Sequence, residues 1–478
     1  MLERGAYMVY KPKIGLEIHA RLFTKRKIFC GCENSFGGEP NTRICPVCTG
    51  ACGSIPVLNK EAVELGIKAG VVLGCEISRA SAFDRKNYVS PDLPKGYQIT
   101  QQFKPLCKNG GFEINGVKRR INNIHLEEDA AKLTYTNDEV LVDYNRCGVP
   151  LIEIVTEPDF ETSEEVSQFV EELALRLRYA DVCDGRIEQG SLRVDVNVSV
   201  APDSSAVLGT RCEIKNIGSL KSLRRAIEYE IKRQTIILEG GGTVLCETRR
   251  FDEASGKTVF MRMKESAADY GYFPDPDIPA LYVEQEDIEK IKSTIPVLPN
   301  ERFNFYTSEF GLTEEEAKNI VSDRKFSDWF ESVCAETKYP KKAASLMLVG
   351  LNRLFNKFGG TVSDMSLTAA ETASLADLWG SSRVSAGNAM IILESLFLGG
   401  GNAVDIAKKE NMLISFDSRL AEAEINKILG EKSEAAAEYK AGNKKIFGYL
   451  MGLAVSRLGK NTDPAALKQM LENCLKNL

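Results

Sequence analysis

The sequence predicts an α+β protein in which a large, mainly antiparallel sheet domain is followed by two all-α domains. Two observations support this prediction. Polar and aliphatic residues alternate with period two over several early stretches, whereas apolar residues recur with helical spacing from about residue 285. A chain of 478 residues is also long enough for two to four domains. We expect a sheet domain at 1–290, a helical linker domain at 291–403 and a small helical tail domain at 404–478.

The composition is that of a soluble globular protein, with 43% hydrophobic and 27% charged residues. No apolar run approaches membrane-spanning length, and the first residues lack the hydrophobic core of a secretory signal. Thirteen scattered cysteines fit a reducing compartment better than a disulfide framework. We therefore expect a cytoplasmic protein without membrane contact. The net charge of −6 excludes a uniformly basic surface but leaves room for a local nucleic-acid patch.

The first predicted strand spans residues 14–22 and places Glu17 and His19 on one face and Leu16 and Ile18 on the other. Two later stretches repeat this alternation and add four polar residues: Asp195, Asn197, Glu213 and Lys215. Several strands can therefore share one polar, carboxylate-bearing surface. An ordinary solvated sheet face gives the same pattern, so both interpretations stay open.

A cysteine cluster follows the first strand, with a C-x-C pair, a twelve-residue loop and a C-x-x-C pair: Cys30, Cys32, Cys45 and Cys48. Four thiolates at this spacing can surround one structural zinc ion. Four protein ligands would leave no open coordination position, so such an ion braces the loop and performs no chemistry. Four unrelated buried cysteines are the alternative.

Helices are predicted at 59–74 and 219–238 from their apolar stripes. Two other helices begin with capping boxes, at Thr162 and at Thr313, and a last one begins at Asp463, which precedes a proline.

Residues 83–99 combine a basic pair, Arg85 and Lys86, with a segment that contains two prolines and a glycine. We expect this segment to form a rigid loop that holds Lys95 and Tyr97 near the basic pair. These four side chains are candidates for contacts with the phosphates of a nucleotide, although a solvated surface turn is equally compatible. The sequence has no standard phosphate-binding glycine motif, so a bound nucleotide would require a metal-bearing sheet.

Glu153 lies within an aliphatic run, where a carboxylate is expected to be buried and therefore to need a partner or a cation. Together with Glu17, His19 and one glutamate of the 127–128 pair, it would form an oxygen-rich site with one nitrogen ligand. Such a site suits Mg²⁺ or Mn²⁺ better than zinc. A structural role for the histidine remains the alternative.

The C-terminal segment is basic, with seven basic and two acidic residues between Lys440 and Leu478. The expected phosphate contacts for a bound nucleic acid are Lys444, Lys445, Arg457 and Lys460. A solvated helical surface would also explain any one of these residues.

Taken together, these motifs strongly resemble the B subunits of aspartyl/glutamyl-tRNA amidotransferases. The resemblance is close over residues 10–283 and looser towards the C-terminus. Besides the cysteine cluster, it rests on motifs that occur in the same order at 15–19, 83–88, 91–99, 125–129, 151–159, 190–197, 213–216 and 272–279.

The resemblance implies a cradle-like catalytic domain that uses ATP and Mg²⁺ and carries a structural Zn²⁺. Such a protein works with the A (glutaminase) and C subunits on misacylated tRNA, converting Glu-tRNA(Gln) or Asp-tRNA(Asn) to the amide. ATP phosphorylates the aminoacyl carboxylate, and ammonia channelled from the glutaminase displaces the phosphate. A zinc-braced tRNA-binding scaffold and a stand-alone metal-dependent phosphohydrolase are the alternatives.

The resemblance also implies residue roles. It assigns metal ligation to His19, Glu128 and Glu153, with Glu17 close by, although strand alternation favours Glu127 over Glu128. The remaining polar residues of the sheet, named above, would orient ammonia or its proton. The sequence departs from the family pattern at four positions that bear on tRNA affinity or turnover: Asn123, Ala131, Gln189 and Gly271.

Overall fold

The computed structural model describes residues 9–264, 268–459 and 461–477. It divides into two compact units, Met1–Leu298 and Pro299–Leu478. The strands of the described residues all lie in the first unit: β1 (Tyr10–Arg21), β2 (Glu76–Ile77), β3 (Ala80–Ser81), β4 (Asp84–Asn87), β5 (Tyr97–Thr100), β6 (Cys107–Ile114), β7 (Val117–Glu128), β8 (Lys132–Tyr135), β9 (Val140–Asp143), β10 (Pro150–Thr156), β11 (Leu192–Pro202), β12 (Cys212–Lys215), β13 (Glu247–Asp252), β14 (Lys257–Met263), β15 (Phe273–Pro274) and β16 (Leu281–Tyr282).

Nine strands form the main sheet in the order β14-β13-β12-β11-β1-β10-β7-β6-β2, with β1 at its centre. All neighbours are antiparallel except β12 and β13, which are parallel. The prediction of a large, mostly antiparallel sheet followed by a helical region is thus confirmed. The register sets His19 opposite Glu153 and Glu17 opposite Asp195. Because paired residues point to the same side of a sheet, these four side chains share one face.

The opposite face of the sheet packs against the helices of the first unit. Leu16, Ile18 and Ala20 of β1 are essentially buried in this core. The period-two alternation of β1 therefore separates an apolar core face from a polar face, as predicted. The helices are α1 (Lys60–Val72), α2 (Ser163–Tyr179), α3 (Leu220–Glu239) and α4 (Gln285–Ser293). Helix α2 begins with the predicted capping box of Thr162 and Glu165.

Among the described residues of the second unit, every regular secondary-structure element is a helix. Its first core is built from α5 (Pro299–Ser308), α6 (Glu314–Val321), α7 (Arg324–Cys334), α8 (Pro340–Ser345), α9 (Asn352–Phe358), α10 (Ala369–Gly380), α11 (Ala386–Gly399) and α12 (Ala403–Lys409), with a π-helical stretch at Leu346–Leu351. The second core is built from α13 (Ser418–Glu431), α14 (Ser433–Lys440), α15 (Ile446–Leu458) and α16 (Pro464–Asn477). The Thr313 capping box and the Asp463 cap are both present.

Two boundaries differ from those predicted. The first unit ends at Leu298, eight residues beyond the expected 290. The expected tail start at 404 falls inside α12, whose Ala403 and Ala407 pack in the preceding core. Glycines at 399–401 lie just before α12, but the packing of α12 continues the preceding core.

The predicted rigid loop at 91–99 is partly a strand. Its last residues belong to β5, which pairs with β4 so that Lys86 lies opposite Gln98. Two prolines restrict the segment before residue 95, but they do not prevent extended pairing after it. β4, β5 and β15 form a separate three-stranded sheet.

No single described helix is long and apolar enough to cross a membrane. One pair, Ala386–Gly399 with Ala403–Lys409, reaches the required length and composition together, but it is bent by 115°.

Candidate active site

The polar face of the main sheet opens into a cavity of about 1090 Å³. Its charged and aromatic lining comes from distant parts of the sequence, which the sheet register brings together. The lining includes Glu17, His19, Lys86, His125, Glu127, Glu153, Arg193, Asp195, Glu213, Lys215, Lys264 and Tyr272.

One cluster in this cavity, the His19 group, consists of His19, Glu127 and Glu153. Potential ligand atoms of these three residues lie within 4.8 Å of one another. His19 Nε2 is 3.3 Å from Glu153 Oε2, and His125 Nε2 is also 3.3 Å from the same oxygen. Among the described residues, the ion pairs of Glu127 and Glu153 within 4 Å are with imidazoles alone. Carboxylate oxygens and one imidazole nitrogen fit Mg²⁺ or Mn²⁺.

The histidines and Glu153 shift each other's pKa. Burial alone would lower the pKa of His125, but Glu153 and Glu127 outweigh it and raise that pKa to about 9. The pKa of His19 is raised in the same way, against its burial, chiefly by Glu153. Burial opposes ionisation of Glu153, yet the two imidazoles hold the pKa of this carboxyl well below its usual range. Asn123, one departure from the family pattern, contacts His125 Nδ1 through Oδ1 at 2.8 Å and so fixes the ring.

Glu128, the metal ligand implied by the resemblance, is not part of the His19 group. Its side chain is 2% exposed and pairs with Lys95, while Oε1 accepts from the backbone N–H of Ile99 (3.0 Å). From Asn123 to Glu128, β7 pairs with β10 without a register shift, so the adjacent residues Glu127 and Glu128 point to opposite sides of the sheet. Glu127 therefore lines the cavity, and Glu128 does not.

A second cluster, the Glu17 group, consists of Glu17, Asp195 and Glu213, whose oxygens also lie within 4.8 Å of one another. In this group, two lysines form ion pairs with the carboxylates. Lys215 Nζ is 2.5 Å from Asp195 Oδ2, and Lys264 Nζ is 3.1 Å from Glu213 Oε1. Burial opposes ionisation of Glu213, but Lys215 and Lys264 lower its pKa to about 2.

Asn197 joins the Glu17 group through hydrogen bonds. Its Nδ2 donates to Glu17 Oε1 (3.0 Å), and its Oδ1 accepts from Lys264 Nζ (2.9 Å). All four polar residues predicted from the later strands therefore lie beside Glu17, on the same face as His19.

Of the four residues predicted to contact phosphate, only Lys86 lines the cavity. Arg85 pairs with Asp275 and Asp277, both at 2.7 Å, and its guanidinium lies 4.2 Å from the centre of the Tyr97 ring. Lys95 forms the ion pair with Glu128 that is described above. Arg85, Lys95 and Tyr97 thus interact with other residues of the protein and do not line this cavity, so their contact with a nucleotide stays a prediction.

Four basic residues of the cavity lining were not predicted: Arg193, Arg211, Arg262 and Lys264. Arg193 follows the same alternation as Asp195 and Asn197 on β11, so the strand pattern contained its signal. It pairs with Asp129 at 3.0 Å. Lys264 follows the edge strand β14, and no local pattern marks it.

The cysteine cluster is assembled as predicted. The sulfur atoms of Cys30, Cys32, Cys45 and Cys48 lie within 4.8 Å of one another, and Cys52 is not among them. Lys27, which is fully buried, places Nζ 3.6 Å from Cys48 Sγ and 3.3 Å from the carbonyl of Tyr144. A hydrogen bond from Cys30, then the Cys45 amide and the Lys27 charge, lower the pKa of Cys48 to about 4 despite its burial. Four sulfur atoms gathered at these distances fit structural zinc.

The predicted tRNA contacts of the tail differ in availability. Lys444 and Lys445 are exposed. Arg457 pairs with Glu431 and lies 3.6 Å from Glu424, so its charge is largely neutralised within the tail. Lys460 lies outside the described residues.

Comparison of the sequence with known proteins identifies the family of this chain. Residues 12–289 match the model of the GatB/GatE catalytic domain, and residues 328–475 match that of the GatB domain. The B subunit of the aspartyl/glutamyl-tRNA(Asn/Gln) amidotransferase of Ruminiclostridium cellulolyticum is 45% identical over 477 residues, covering 98% of each chain. The chain belongs to the family of amidotransferase B subunits. The family member from Thermoanaerobacter sp. (strain X514) is 43% identical over 97% of this chain and 99% of its own.

The amidotransferase catalytic-domain match contains both acidic groups and the cysteine cluster. The GatB-domain match covers most of the helical second unit, including the tail. The family resemblance drawn from the motifs is therefore confirmed over nearly the whole chain.

Proposed function

We propose that this chain is the B subunit of an ATP-dependent amidotransferase that acts on misacylated tRNA. Its substrate would be Glu-tRNA(Gln), Asp-tRNA(Asn) or both, and its product the corresponding amide. One observation carries the proposal beyond family membership: a single cavity holds two acidic groups, one already neutralised by lysines and the other without a lysine or arginine partner within 4 Å among the described residues. Two chemically different steps, phosphorylation and amidation, call for two such environments.

In the first step, a side-chain carboxylate oxygen of the aminoacyl group attacks the γ-phosphorus of ATP. The bond from phosphorus to the ADP oxygen breaks, and an acyl phosphate and ADP form. The His19 group would hold Mg²⁺, which offsets the negative charge that gathers when a carboxylate meets a triphosphate. Lys86 and Arg193 supply further positive charge at the cavity wall. Burial opposes the charge of Lys86, but Glu127 and Tyr272 outweigh it, so the pKa of Lys86 is raised and the residue stays cationic.

In the second step, ammonia attacks the acyl carbon, the C–N bond forms, and the C–O bond to phosphate breaks. Phosphate leaves with the electron pair, and one ammonia proton must be taken up. The Glu17 group fits this step because Glu17 and Asp195 are acceptors for N–H while Lys215 and Lys264 hold their positions. A partly closed cavity also limits hydrolysis of the acyl phosphate.

The proposal includes partners and location. The glutaminase, or A, subunit would supply ammonia from glutamine through a tunnel, and the C subunit would complete the complex. Lys444 and Lys445 would contact the tRNA backbone. Zn²⁺ held by the four cysteines would brace the loop, and the assembly would work in the cytoplasm.

The test measures ATP consumption and amide formation on Glu-tRNA(Gln) and Asp-tRNA(Asn), with the A and C subunits present. We expect wild type to consume ATP only with misacylated tRNA, and Glu153→Gln to lose at least about 100-fold in ATP consumption, since metal-site carboxylates contribute several kcal/mol. Full activity of Glu153→Gln would refute the metal assignment. Equal ATP consumption without tRNA would indicate a phosphohydrolase, and tRNA binding without ATP consumption would indicate a scaffold.

A further inference from the structure

The hairpin β8–β9 has an apolar face that the described residues leave largely uncovered at its tip. The register pairs Leu133 with Val142 and Tyr135 with Val140, so these four side chains share one face. Tyr135 is 73% exposed and Val140 47% exposed, whereas Leu133 and Val142 nearer the root are half-buried. A solitary two-stranded hairpin is marginally stable in water, and an exposed apolar face adds to that cost.

The root of this hairpin is fastened to the cysteine loop. Asn41 donates from Nδ2 to the carbonyl of Val142 (3.0 Å) and from its backbone to Asp143 Oδ1 (3.1 Å), and its Oδ1 accepts from the amide of Tyr144 (2.8 Å). Lys27 joins Cys48 to the carbonyl of Tyr144, next to the same root. The cysteine loop therefore holds the root of the hairpin in place.

The hairpin is also connected to the His19 group through the chain. It lies between β7, which ends in Glu127 and Glu128, and β10, which contains Glu153. A molecule bound at the hairpin would therefore sit on the segment that links two residues of the candidate metal site.

The charge at the tip identifies the kind of partner. Asp138 and Glu139 occupy the turn, and no described residue forms an ion pair with either. Phosphates of a tRNA would be repelled by these carboxylates. A protein surface with an apolar depression flanked by lysine or arginine is complementary to Tyr135, Val140 and the two acids.

We propose that the apolar face and acidic tip of the hairpin β8–β9 form the docking surface for another protein of the amidotransferase complex. This inference rests on the proposed function, because the expected occupant is the complex of the A and C subunits. The cysteine loop then acts as the support of a protein–protein contact as well as a brace of the fold.

The test uses the full-length protein with a purified, co-expressed complex of the A and C subunits from the same organism, and measures affinity by biolayer interferometry. The double variant Tyr135→Thr, Val140→Thr removes the apolar face. We expect it to weaken binding at least about tenfold, as loss of interface anchors does. The matched control is Leu141→Thr, which changes a 52% exposed residue on the opposite face of the same hairpin and should bind like wild type.

Charge reversal by Asp138→Lys, Glu139→Lys provides a second test. It should weaken binding severalfold at low salt and less at high salt, because salt screens exposed charges. Zinc content and melting temperature of each variant establish that the loop and fold are intact.

Three outcomes overturn the proposal: unchanged affinity of the Tyr135→Thr, Val140→Thr variant, equal weakening by Leu141→Thr, or loss of tRNA binding or self-association while affinity for the A and C subunits is kept. If wild type binds these two proteins and amidates tRNA while the hairpin variants do likewise, only the docking proposal fails. If wild type neither binds them nor forms amide, the proposed function fails first.

Discussion

The two acidic groups of the cavity share a sheet face but differ in how their charge is balanced. In the Glu17 group, Lys215 and Lys264 lie within ordinary ion-pair distance of the carboxylates. In the His19 group, the ion pairs that the carboxylates form within 4 Å are with imidazoles alone in the part of the chain that the structure describes, and Glu127 accepts further hydrogen bonds from the neutral side chains of Gln98 and Thr100. Both groups place their ligand atoms within 4.8 Å, so spacing alone does not separate them.

The difference shows what makes an acidic cluster a cation site. Buried carboxylates must be balanced, and a lysine ammonium does so permanently, which leaves little gain for a divalent ion. Imidazoles balance charge only while protonated, and they become metal ligands once the proton leaves. The His19 group is therefore suited to exchange protons for Mg²⁺, whereas the Glu17 group is a fixed polar surface.

The largest effect is expected where the neighbours Glu127 and Glu128 are compared. Glu127→Gln removes a carboxylate of the His19 group, and we expect at least about a 100-fold loss of tRNA-dependent ATP consumption and weaker Mn²⁺ binding. Glu128→Gln instead breaks the buried pair with Lys95, which should lower the melting temperature while Mn²⁺ affinity stays within about tenfold of wild type.

Activity assays and electron paramagnetic resonance of bound Mn²⁺ decide this comparison. If Glu128→Gln loses the metal and Glu127→Gln keeps it, the assignment of Glu127 to the metal site is wrong.

These neighbours also show how far the sequence could predict the site. Alternation along β7 favoured Glu127, and the period-two pattern predicted the shared polar face of β1, β11 and β12, because both depend only on strand geometry. Arg85 could not be excluded in advance, since Asp275 and Asp277 neutralise it from almost two hundred positions away. Lys264 could not be found, because its place depends on the pairing of β14 at the edge of the sheet.

The second effect tests whether lysines alone distinguish the two groups. Lys264→Met leaves Glu17 with no lysine within 4 Å among the described residues and removes one partner of Glu213. We expect a second Mn²⁺ to bind weakly, at millimolar concentrations in order of magnitude, and amide formation to fall about tenfold. Titration of Mn²⁺ followed by electron paramagnetic resonance measures the stoichiometry.

The control for this variant is Lys264→Arg, which keeps the positive charge and should bind no additional ion. If the wild-type protein already binds Mn²⁺ at the Glu17 group, the two clusters do not differ in cation binding and the comparison is wrong.

The third effect extends the comparison to the cysteine cluster, which also combines several acids with a single lysine. Lys27→Met removes a buried ammonium next to Cys48, so the thiolate loses part of the charge that favours it. We expect zinc affinity to fall about tenfold, as for other groups that contact metal ligands. Competition with a chromogenic chelator measures it.

Lys25→Met is the matched control, because Lys25 is exposed two residues earlier in the chain. Equal zinc affinity of both variants would show that the Lys27 charge is irrelevant to the cluster.

The smallest effect concerns folding and tests whether the Glu17 group is balanced by lysines in the native state. The pKa of Glu213 is about 2, below its usual 4.5, so the folded protein binds this proton less readily than the unfolded chain. The resulting stabilisation is complete above about pH 4.5 and is lost as pH falls towards 2, by about 1.4 kcal/mol per pH unit at most.

Urea unfolding of wild type and Glu213→Gln should therefore show a difference in the free energy of unfolding that is constant from pH 7 to 5 and shrinks below pH 5. Asp252→Asn serves as control, because the pKa of that carboxyl is lowered chiefly by hydrogen bonds from Ser255 and not by a lysine. A Glu213→Gln difference that persists unchanged at pH 3.5 would mean that packing, and not the lysine charges, accounts for the effect.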